Sequence, residues 1–218
     1  MEHIINDNNA SSYVTPDNKA YILGSFDDKE MRDFIGNLNS LIHKMPTMPI
    51  YKIGTQITSP YDTKDIKNPI LDIYIDSNGG NSRMLFDIIT LLSIAKARGA
   101  IIRTTVLSSA FSCGSLLAIY GTPGFRIMST NAEHMVHYGR SVVSYTSESQ
   151  KDILLARNQH ERDRMWRMYK THTKIPAKIL NELTTHSEGK YFTAEECLQY
   201  GMCDWIIGEY GQLNGRTK

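Results

Sequence analysis

The sequence predicts an α/β protein built around a parallel sheet. Two β-rich runs, at residues 70–75 and 101–107, are separated by a helical pattern from about Ser82 to Arg98. A second apolar run follows Ser112, and a further β-rich run lies at residues 125–128. Strands that alternate with helices in this order are typical of βαβ units, whose strands run parallel because each helix crosses back over the sheet.

The composition is that of an ordinary globular protein. Of the 218 residues, 41% are hydrophobic and 22% are charged, and the net charge of +1 indicates neither nucleic acid nor an anionic membrane as a partner. The three cysteines include no Cys-x-x-Cys pair, and residues 1–20 lack the apolar core of a signal peptide. We therefore expect a protein of the reducing cytoplasm. The sequence contains no metal-ligand cluster and no phosphate-binding loop, so we expect no metal, nucleotide or other cofactor.

The N-terminal third begins with polar residues and continues with one strand and one helix. Residues 1–19 offer little that could be buried and predict a mobile arm. Residues 20–24 predict a short strand, and apolar residues at helical spacing after Asp27 and Asp28 predict a helix. Residues 45–69 hold four of the seven prolines and predict an inserted loop or hairpin.

The C-terminal part contains a long charged helix. Residues 139–146 predict an exposed strand, and Ser147 to Thr171 predict one polar helix with a narrow apolar stripe. Such a helix indicates packing between subunits, with a solvated helix as the alternative. The chain then divides into an arm (1–19), a head (20–138) with its 45–69 insert, a protruding strand and helix (139–175), a C-terminal part of the head (176–210) and a tail (211–218).

Ser112 lies where a strand turns into a helix. At that position its hydroxyl would be close to the unpaired backbone N–H groups of a helix N-terminus, which suit a developing oxyanion. Gly114 would allow close approach of a substrate. The pattern has the logic of a nucleophile elbow, but Ala110 stands where the Gly-x-Ser-x-Gly motif has its first glycine. Taken alone, small residues at a strand–helix junction equally indicate close packing.

A catalytic serine needs a base, and His137 is the best placed of the seven histidines. It ends a short strand that follows the Ser112 unit, so its imidazole could face the serine. His134, three residues earlier, would lie on the other face of that strand. A structural histidine is the alternative for either residue, and Cys113 is an alternative nucleophile.

Five segments resemble a known family in the same order. They are Tyr21-Ile-Leu-Gly24-Ser-Phe-Asp27, Tyr74-Ile-Asp76-Ser-Asn-Gly79-Gly80, Ala110-Phe-Ser112-Cys-Gly114, Met135-Val-His137, and Phe192-Thr-Ala-Glu-Glu196 with Tyr200-Gly-Met-Cys-Asp204. They are similar to the first strand, the glycine turn, the nucleophile segment, the histidine segment and the C-terminal end of ClpP, the proteolytic subunit of the ATP-dependent Clp protease. Because the order is kept over about residues 20–207, the chain is identified as a divergent member of that family.

The resemblance implies a ClpP/crotonase-like fold of stacked βαβ units with a protruding handle helix. It implies that Ser112 is the nucleophile, that His137 is its general base, and that the backbone N–H groups of Gly80 and Cys113 form the oxyanion hole. It further implies a serine endopeptidase that assembles into a heptameric ring, two of which stack through their handles into a 14-mer. A Clp-type AAA+ unfoldase would feed unfolded polypeptides into the closed chamber, where apolar residues would be preferred at the cleaved bond.

The chain departs from the family at the third member of the catalytic triad. The family's aspartate falls on Gly189, and Glu188 is the adjacent carboxylate that could replace it. Loss of an orienting carboxylate lowers turnover by about 10⁴ in well-studied triads. Two hypotheses therefore stay open, an active peptidase that uses Ser112, His137 and Glu188, and a weakly active or silent ring subunit that serves as a scaffold.

Other relatives of the fold supply further alternatives. A viral prohead protease of ClpP type fits the same motifs. Enoyl-CoA hydratase-like enzymes use carboxylates rather than a Ser/His pair, and SppA-type peptidases use serine and lysine at a membrane. The Arg-Asp pair of the family's ring-to-ring contacts is also missing here, so we expect an oligomer without assuming two rings.

Overall fold

The computed structural model describes residues 12–52, 57–139, 146–185 and 189–215, which contain nine strands and six helices. The strands are β1 (Tyr13–Thr15), β2 (Lys19–Phe26), β3 (Ile70–Gly80), β4 (Ile101–Phe111), β5 (Arg126–Ser129), β6 (Glu133–Val136), β7 (Lys190–Phe192), β8 (Trp205–Ile207) and β9 (Leu213–Gly215). The helices are α1 (Asp28–Lys44), α2 (Ser82–Ala97), α3 (Cys113–Ile119), α4 (Glu148–His172), α5 (Ala177–Thr185) and α6 (Ala194–Gln199).

The centre of the sheet is parallel. Strands β2, β3, β4, β5 and β8 are neighbours in that order, and the short strands β1 and β9 pair antiparallel at the two ends. Alternate residues of β3 are buried, as period-2 packing on one face requires, and they include Leu71, Ile73 and Ile75. Strands that alternate with helices α1 to α3 confirm the α/β fold class that the sequence predicts.

Strand β4 pairs with two different strands along its length. Thr104–Val106 pairs with β5, whereas Ser109–Phe111 pairs with β6, and both pairings are parallel. Strand β6 in turn pairs antiparallel with β7. This branch of the sheet brings the residue after β6 close to the residue after β4, so it sets the positions of His137 and Ser112.

A buried ion pair joins β5 to the segment before β8. The guanidinium group of Arg126 donates to both carboxylate oxygens of Asp204, at 2.9 Å from Nε and 2.6 Å from Nη2. Its remaining nitrogen donates to the backbone oxygens of His172 and Gly201, each at 2.9 Å. Because a buried charge is costly unless it is paired and hydrogen-bonded, this arrangement fixes the C-terminal segment against the sheet.

Helix α4 forms the predicted protruding handle. It has 25 residues, starts at the N-cap Ser147, and buries only Trp166 and Tyr169, both in its C-terminal half. Ile153, in the N-terminal half, is 69% exposed. In the described part of the chain, no helix combines the length and the apolar character needed to span a lipid bilayer.

Two segments differ from the sequence-based expectation. Residues 13–19, expected in a mobile arm, form a hairpin in which β1 pairs with β2, and the Tyr13 ring stacks on Tyr21 at 4.7 Å. Strand β9 pairs with β8 although residues 211–218 were expected to be a loose tail. Both strands have only three residues, and they form because a neighbouring strand offers unpaired backbone groups rather than because of a long apolar pattern.

The insert at residues 45–69 is an irregular loop where it is described. The side chain of Asn68 donates to the backbone oxygens of Pro49 and Gly99, at 2.8 and 2.7 Å, and thereby ties the loop to the end of α2. Residues 53–56 lie outside the described part of the chain. Most of the predicted strand at 139–146 also does, since residues 140–145 are not described.

Candidate active site

Ser112 and His137 are hydrogen-bonded to each other. The parallel pairing of β4 and β6 places Phe111 opposite Met135, and the backbone N–H of Ser112 donates to the Met135 oxygen at 2.8 Å. The Ser112 Oγ and the His137 Nε2 are 2.7 Å apart. A serine hydroxyl at this distance from an imidazole can transfer its proton to the ring, which is the arrangement of an activated nucleophile.

The backbone of Ser112 has the strained geometry of a nucleophile elbow. Its φ is 54° and its ψ is −112°, and it is one of two non-glycine residues with positive φ in the described chain. Ser112 is the N-cap of α3, so the first N–H groups of that helix, beginning with Cys113, have no partner within the helix. The elbow geometry is therefore present although Ala110 replaces the first glycine of the usual motif.

The glycine turn at the end of β3 lies directly against Ser112. A Cβ atom at Gly79 would lie 2.7 Å from the Ser112 Cβ, and one at Gly80 would lie 2.7 Å from the Phe26 oxygen. Both glycines also have positive φ, at 91° and 138°. Only glycine allows the turn to approach the serine this closely, and the turn is thus positioned beside the atom where an oxyanion would develop.

Ser77 and Asp76 hold the glycine turn in place, and the site prediction from sequence did not include them. Ser77 Oγ donates to the Gly24 oxygen at 2.6 Å and accepts from the Gly79 N–H at 3.1 Å. Asp76 Oδ1 accepts from the backbone and the hydroxyl of Ser109, at 3.1 and 2.7 Å. Both residues belong to the Tyr74-to-Gly80 segment, so the signal was in the sequence, but Gly24 and Ser109, to which they bind, are far along the chain.

Cys113 is unsuited to be the nucleophile. Burial raises the pKa of its thiol to about 12, so the thiol stays protonated at neutral pH. The Sγ lies 3.2 Å from the Gly80 oxygen, to which it donates. The side chain of Cys113 therefore lies against the glycine turn, and a Cβ atom at Gly79 would lie 3.2 Å from the Cys113 backbone nitrogen.

His134 is a structural residue and not the base. Its side chain is fully buried and its Nδ1 lies 2.9 Å from the Ser115 Oγ. Burial lowers the pKa of His134 to about 3, with a smaller contribution from the positive charge of Arg126. The imidazole is therefore neutral near pH 7. Because side chains alternate between the two faces of a strand, His134 and His137, which are three residues apart, would lie on opposite faces of β6.

Gly189 lies beside His137, where the family's aspartate was expected. A Cβ atom at Gly189 would lie 2.8 Å from the His137 Cβ and 2.9 Å from the Val136 oxygen, and its φ is 77°. The backbone at this position thus has no room for a side chain. Glu188 lies outside the described residues, so its position relative to His137 stays a prediction.

Proteins of one known family are similar to this chain. The sequence profile of the Clp protease family matches residues 52–210. The chain is 30% identical over 142 residues to ATP-dependent Clp protease proteolytic subunit 2 of Streptomyces coelicolor, and 31% identical over 142 residues to proteolytic subunit 4 of Streptomyces avermitilis. These matches cover 63% of the chain, and 61% and 58% of the two relatives.

A similar relative comes from another group of bacteria. The chain is 29% identical over 147 residues to the ATP-dependent Clp protease proteolytic subunit of Streptococcus pyogenes serotype M1, and this match covers 67% of the chain and 70% of the relative. By contrast, the chain spans slightly less than two thirds of the length of the two Streptomyces relatives. The profile match includes both Ser112 and His137.

Proposed function

Because the chain belongs to the Clp protease family, we propose that it is a serine endopeptidase in which Ser112 is the nucleophile and His137 the general base. The distance of 2.7 Å between the Ser112 Oγ and the His137 Nε2 is the observation that carries this proposal. The strained backbone of Ser112 supports it, since such strain persists only where surrounding structure enforces it and is common at nucleophiles.

The first half of the reaction forms an acyl-enzyme. The Ser112 Oγ attacks the carbonyl carbon of the scissile peptide bond while its proton passes to the His137 Nε2. The carbonyl oxygen becomes an oxyanion, to which the backbone N–H groups of Gly80 and Cys113 donate. When the C–N bond breaks, the leaving amine takes the proton from His137, and the acyl group stays on Ser112.

The second half releases the acyl group by hydrolysis. Water gives a proton to the neutral His137 and attacks the ester carbon, and the same two N–H groups stabilise the second oxyanion. Ser112 leaves with the proton from His137, which restores the starting state. His137 acts in turn as a neutral base and as a protonated acid, and both roles need a ring whose orientation is fixed, which explains why a third residue matters.

We assign the orienting role to Glu188. It is the carboxylate next to Gly189, whose backbone lies against the His137 Cβ. A Glu188→Gln variant removes the negative charge and keeps the size of the side chain. We expect a loss of turnover that approaches the value of about 10⁴ known from triads without their carboxylate, and an unchanged rate would remove Glu188 from the mechanism.

The proposal includes a ring assembly fed by an unfoldase. The relatives are proteolytic subunits of a protease described as ATP-dependent, while this chain has no phosphate-binding loop of its own. An AAA+ unfoldase of Clp type would therefore supply unfolded polypeptides. Heptameric rings of this chain, single or paired in a 14-mer through α4, would enclose the sites. A cytoplasmic location stays a prediction from the cysteine pattern.

Labelling with a fluorophosphonate tests the catalytic part of the proposal. The probe phosphonylates a serine only when a base activates it, so intact-mass measurement should find one adduct on wild type and none on Ser112→Ala. An adduct that persists in Ser112→Ala would place the reactive group elsewhere. Absence of any adduct on folded, oligomeric protein would favour the silent scaffold over the peptidase.

A further inference from the structure

A charged groove, called the α2–α4 groove below, lies between helices α2 and α4. Its volume is about 290 Å³, and its walls carry Arg83 and Asp87 on α2, and Arg157, Glu161 and Arg164 on α4. His160 adds a titratable nitrogen to the α4 wall. Three permanent positive charges thus face two carboxylates, so the groove has an excess of positive charge at neutral pH.

The three arginines of the groove are available to a ligand. Within the described part of the chain, none of the three guanidinium groups has a carboxylate oxygen within 4.0 Å. Arg164 is held in place by a different contact, since its guanidinium carbon lies 3.7 Å from the centre of the Phe86 ring. Stacking on a ring leaves the N–H edge of an arginine free to donate to a carboxylate, often with two parallel hydrogen bonds.

Both walls of the groove are connected to the candidate active site. Arg83 is the third residue after Gly80, and α2 starts directly after the glycine turn. On the other wall, Glu161 lies on α4, which also carries the buried Trp166 whose ring is 5.1 Å from that of Tyr138, the residue after His137. One turn further along α4, the Met165 side chain lies 3.5 Å from a Cβ placed at Gly139, two residues after His137.

We infer that the α2–α4 groove is a subsite of the proposed peptidase that binds an acidic side chain of the polypeptide substrate. The inference rests on the proposed function, because it needs a polypeptide that passes Ser112. A carboxylate fits the groove since it would pair with guanidinium groups that have no carboxylate partner among the described residues, and Arg164 is oriented for it in advance by Phe86. Glu161 would weaken the binding of the same ligand by repulsion.

Pairs of peptides that differ by one atom type test the inference. Octapeptides with one cleavable bond would carry Glu or Gln at each position in turn, and kcat/KM would be measured for each pair at low salt. At one position we expect the Glu peptide to be favoured by about two- to fivefold, the range that corresponds to an exposed ion pair. Arg164→Gln should bring this ratio close to one, and Glu161→Gln should raise it.

The control variant is Arg167→Gln, which removes the same charge from an exposed residue of α4 outside the groove. It should keep the preference of wild type. A ratio of one at every position in wild type, or an equal fall of the ratio in Arg167→Gln, would overturn the inference. So would an Arg164→Gln variant that changes the mass of the oligomer but not the ratio, since the groove would then bind a second copy of the chain.

Failure of the subsite and failure of the proposed function can be told apart. If wild type cleaves neither peptide and Ser112 takes no fluorophosphonate, the peptidase proposal is wrong. The affinity of fluorescently labelled Glu and Gln peptides for Ser112→Ala, measured by polarisation, then tests the groove without any turnover. Tighter binding of the Glu peptide that is lost in the Arg164→Gln background would support the groove, and equal binding would contradict it.

Discussion

Ser112 keeps a backbone conformation that residues with a side chain rarely adopt. Conformations of this kind cost on the order of 1–3 kcal/mol, so the surroundings must hold the residue in place. They do so on both sides, because the Ser112 N–H donates to Met135 and the Ser112 oxygen accepts from Leu116 at 3.1 Å. The side chain is thereby aimed at His137 rather than left to rotate with a relaxed turn.

An aspartate introduced at Gly189 should not restore a standard triad. Gly189→Asp places a Cβ 2.8 Å from that of His137 and demands a left-handed backbone. We expect it to unfold more readily and to label with fluorophosphonate more slowly than wild type. Gly211→Asp is the matched control, since its φ is 78° and nothing lies within 4 Å of its Cβ, so it carries only the backbone cost of roughly 1–2 kcal/mol.

Thermal unfolding and labelling rates of the two variants can be compared directly. Gly189→Asp should lose clearly more stability than Gly211→Asp because it also displaces the strand that carries His137. If Gly189→Asp were as stable as its control and labelled faster than wild type, the prediction would be wrong. The backbone at this position would then accept a side chain, and an aspartate there would activate Ser112.

At the scale of elements, β6 links β4, the strand that precedes Ser112, to the buried core. His134 on β6 contacts Ser115 on α3, since its Nδ1 lies 2.9 Å from the Ser115 Oγ. Burial raises the pKa of Tyr169, so the phenol stays neutral together with the imidazole. The neutral contact between His134 and Ser115 thus joins β6 to α3, three residues before His137.

The neutral state of His134 predicts acid sensitivity. Its pKa is about 3 in the folded state and 6.5 in an unfolded chain, so below pH 6.5 the unfolded state binds the proton and folding loses stability as the pH falls. The loss approaches about 1.4 kcal/mol per pH unit between those values. Urea unfolding at several pH values should find this slope in wild type and in His43→Gln, an exposed histidine, and a shallower slope in His134→Asn. Equal slopes in wild type and His134→Asn would contradict the assignment.

The positions of β3 and β4 in the chain could be predicted from the sequence, but the points at which they end could not. β3 extends to Gly80 and β4 to Phe111, well beyond the β-branched runs, because small residues such as Ser77 and Ala110 pair across the two strands. Neither propensity nor hydrophobicity marks such residues as strand. The Ser112–His137 pair was predictable because it depends on strand order alone, whereas the positive φ of Ser112 and the closed space at Gly189 depend on distant backbone contacts.

For the whole molecule, the free half of α4 carries apolar side chains that the single chain does not cover. Ile153 is 69% exposed and Leu155 is 46% exposed, on a helix that is otherwise rich in charge. Apolar side chains on a projecting element are typical of contact surfaces. The proposed ring assembly would place them against another copy of the chain.

Light scattering at micromolar protein tests this arrangement. We expect wild type to have a mass of seven or fourteen times 24.7 kDa, and the double variant Ile153→Asp, Leu155→Asp to lose the stacking of two rings because it would bury charge in an apolar contact. Lys170→Asp, an exposed change at the body end of α4, should keep the wild-type mass. A monomeric wild type would exclude the ring, and equal masses for wild type and the double variant would exclude the handle contact.

Trp166 lies where α4 meets the candidate active site. Its ring lies edge-on to Tyr138, the residue after His137, at 5.1 Å, and edge-on to Tyr169 at 5.8 Å, and it is 5% exposed. The other tryptophan, Trp205, lies on β8. Indole emission depends on such neighbours. In a Trp205→Phe background, Trp166 is the single tryptophan and its fluorescence reports on this contact. Its emission maximum and intensity would report, in real time and without any added dye, how closely α4 packs against the residues that follow His137.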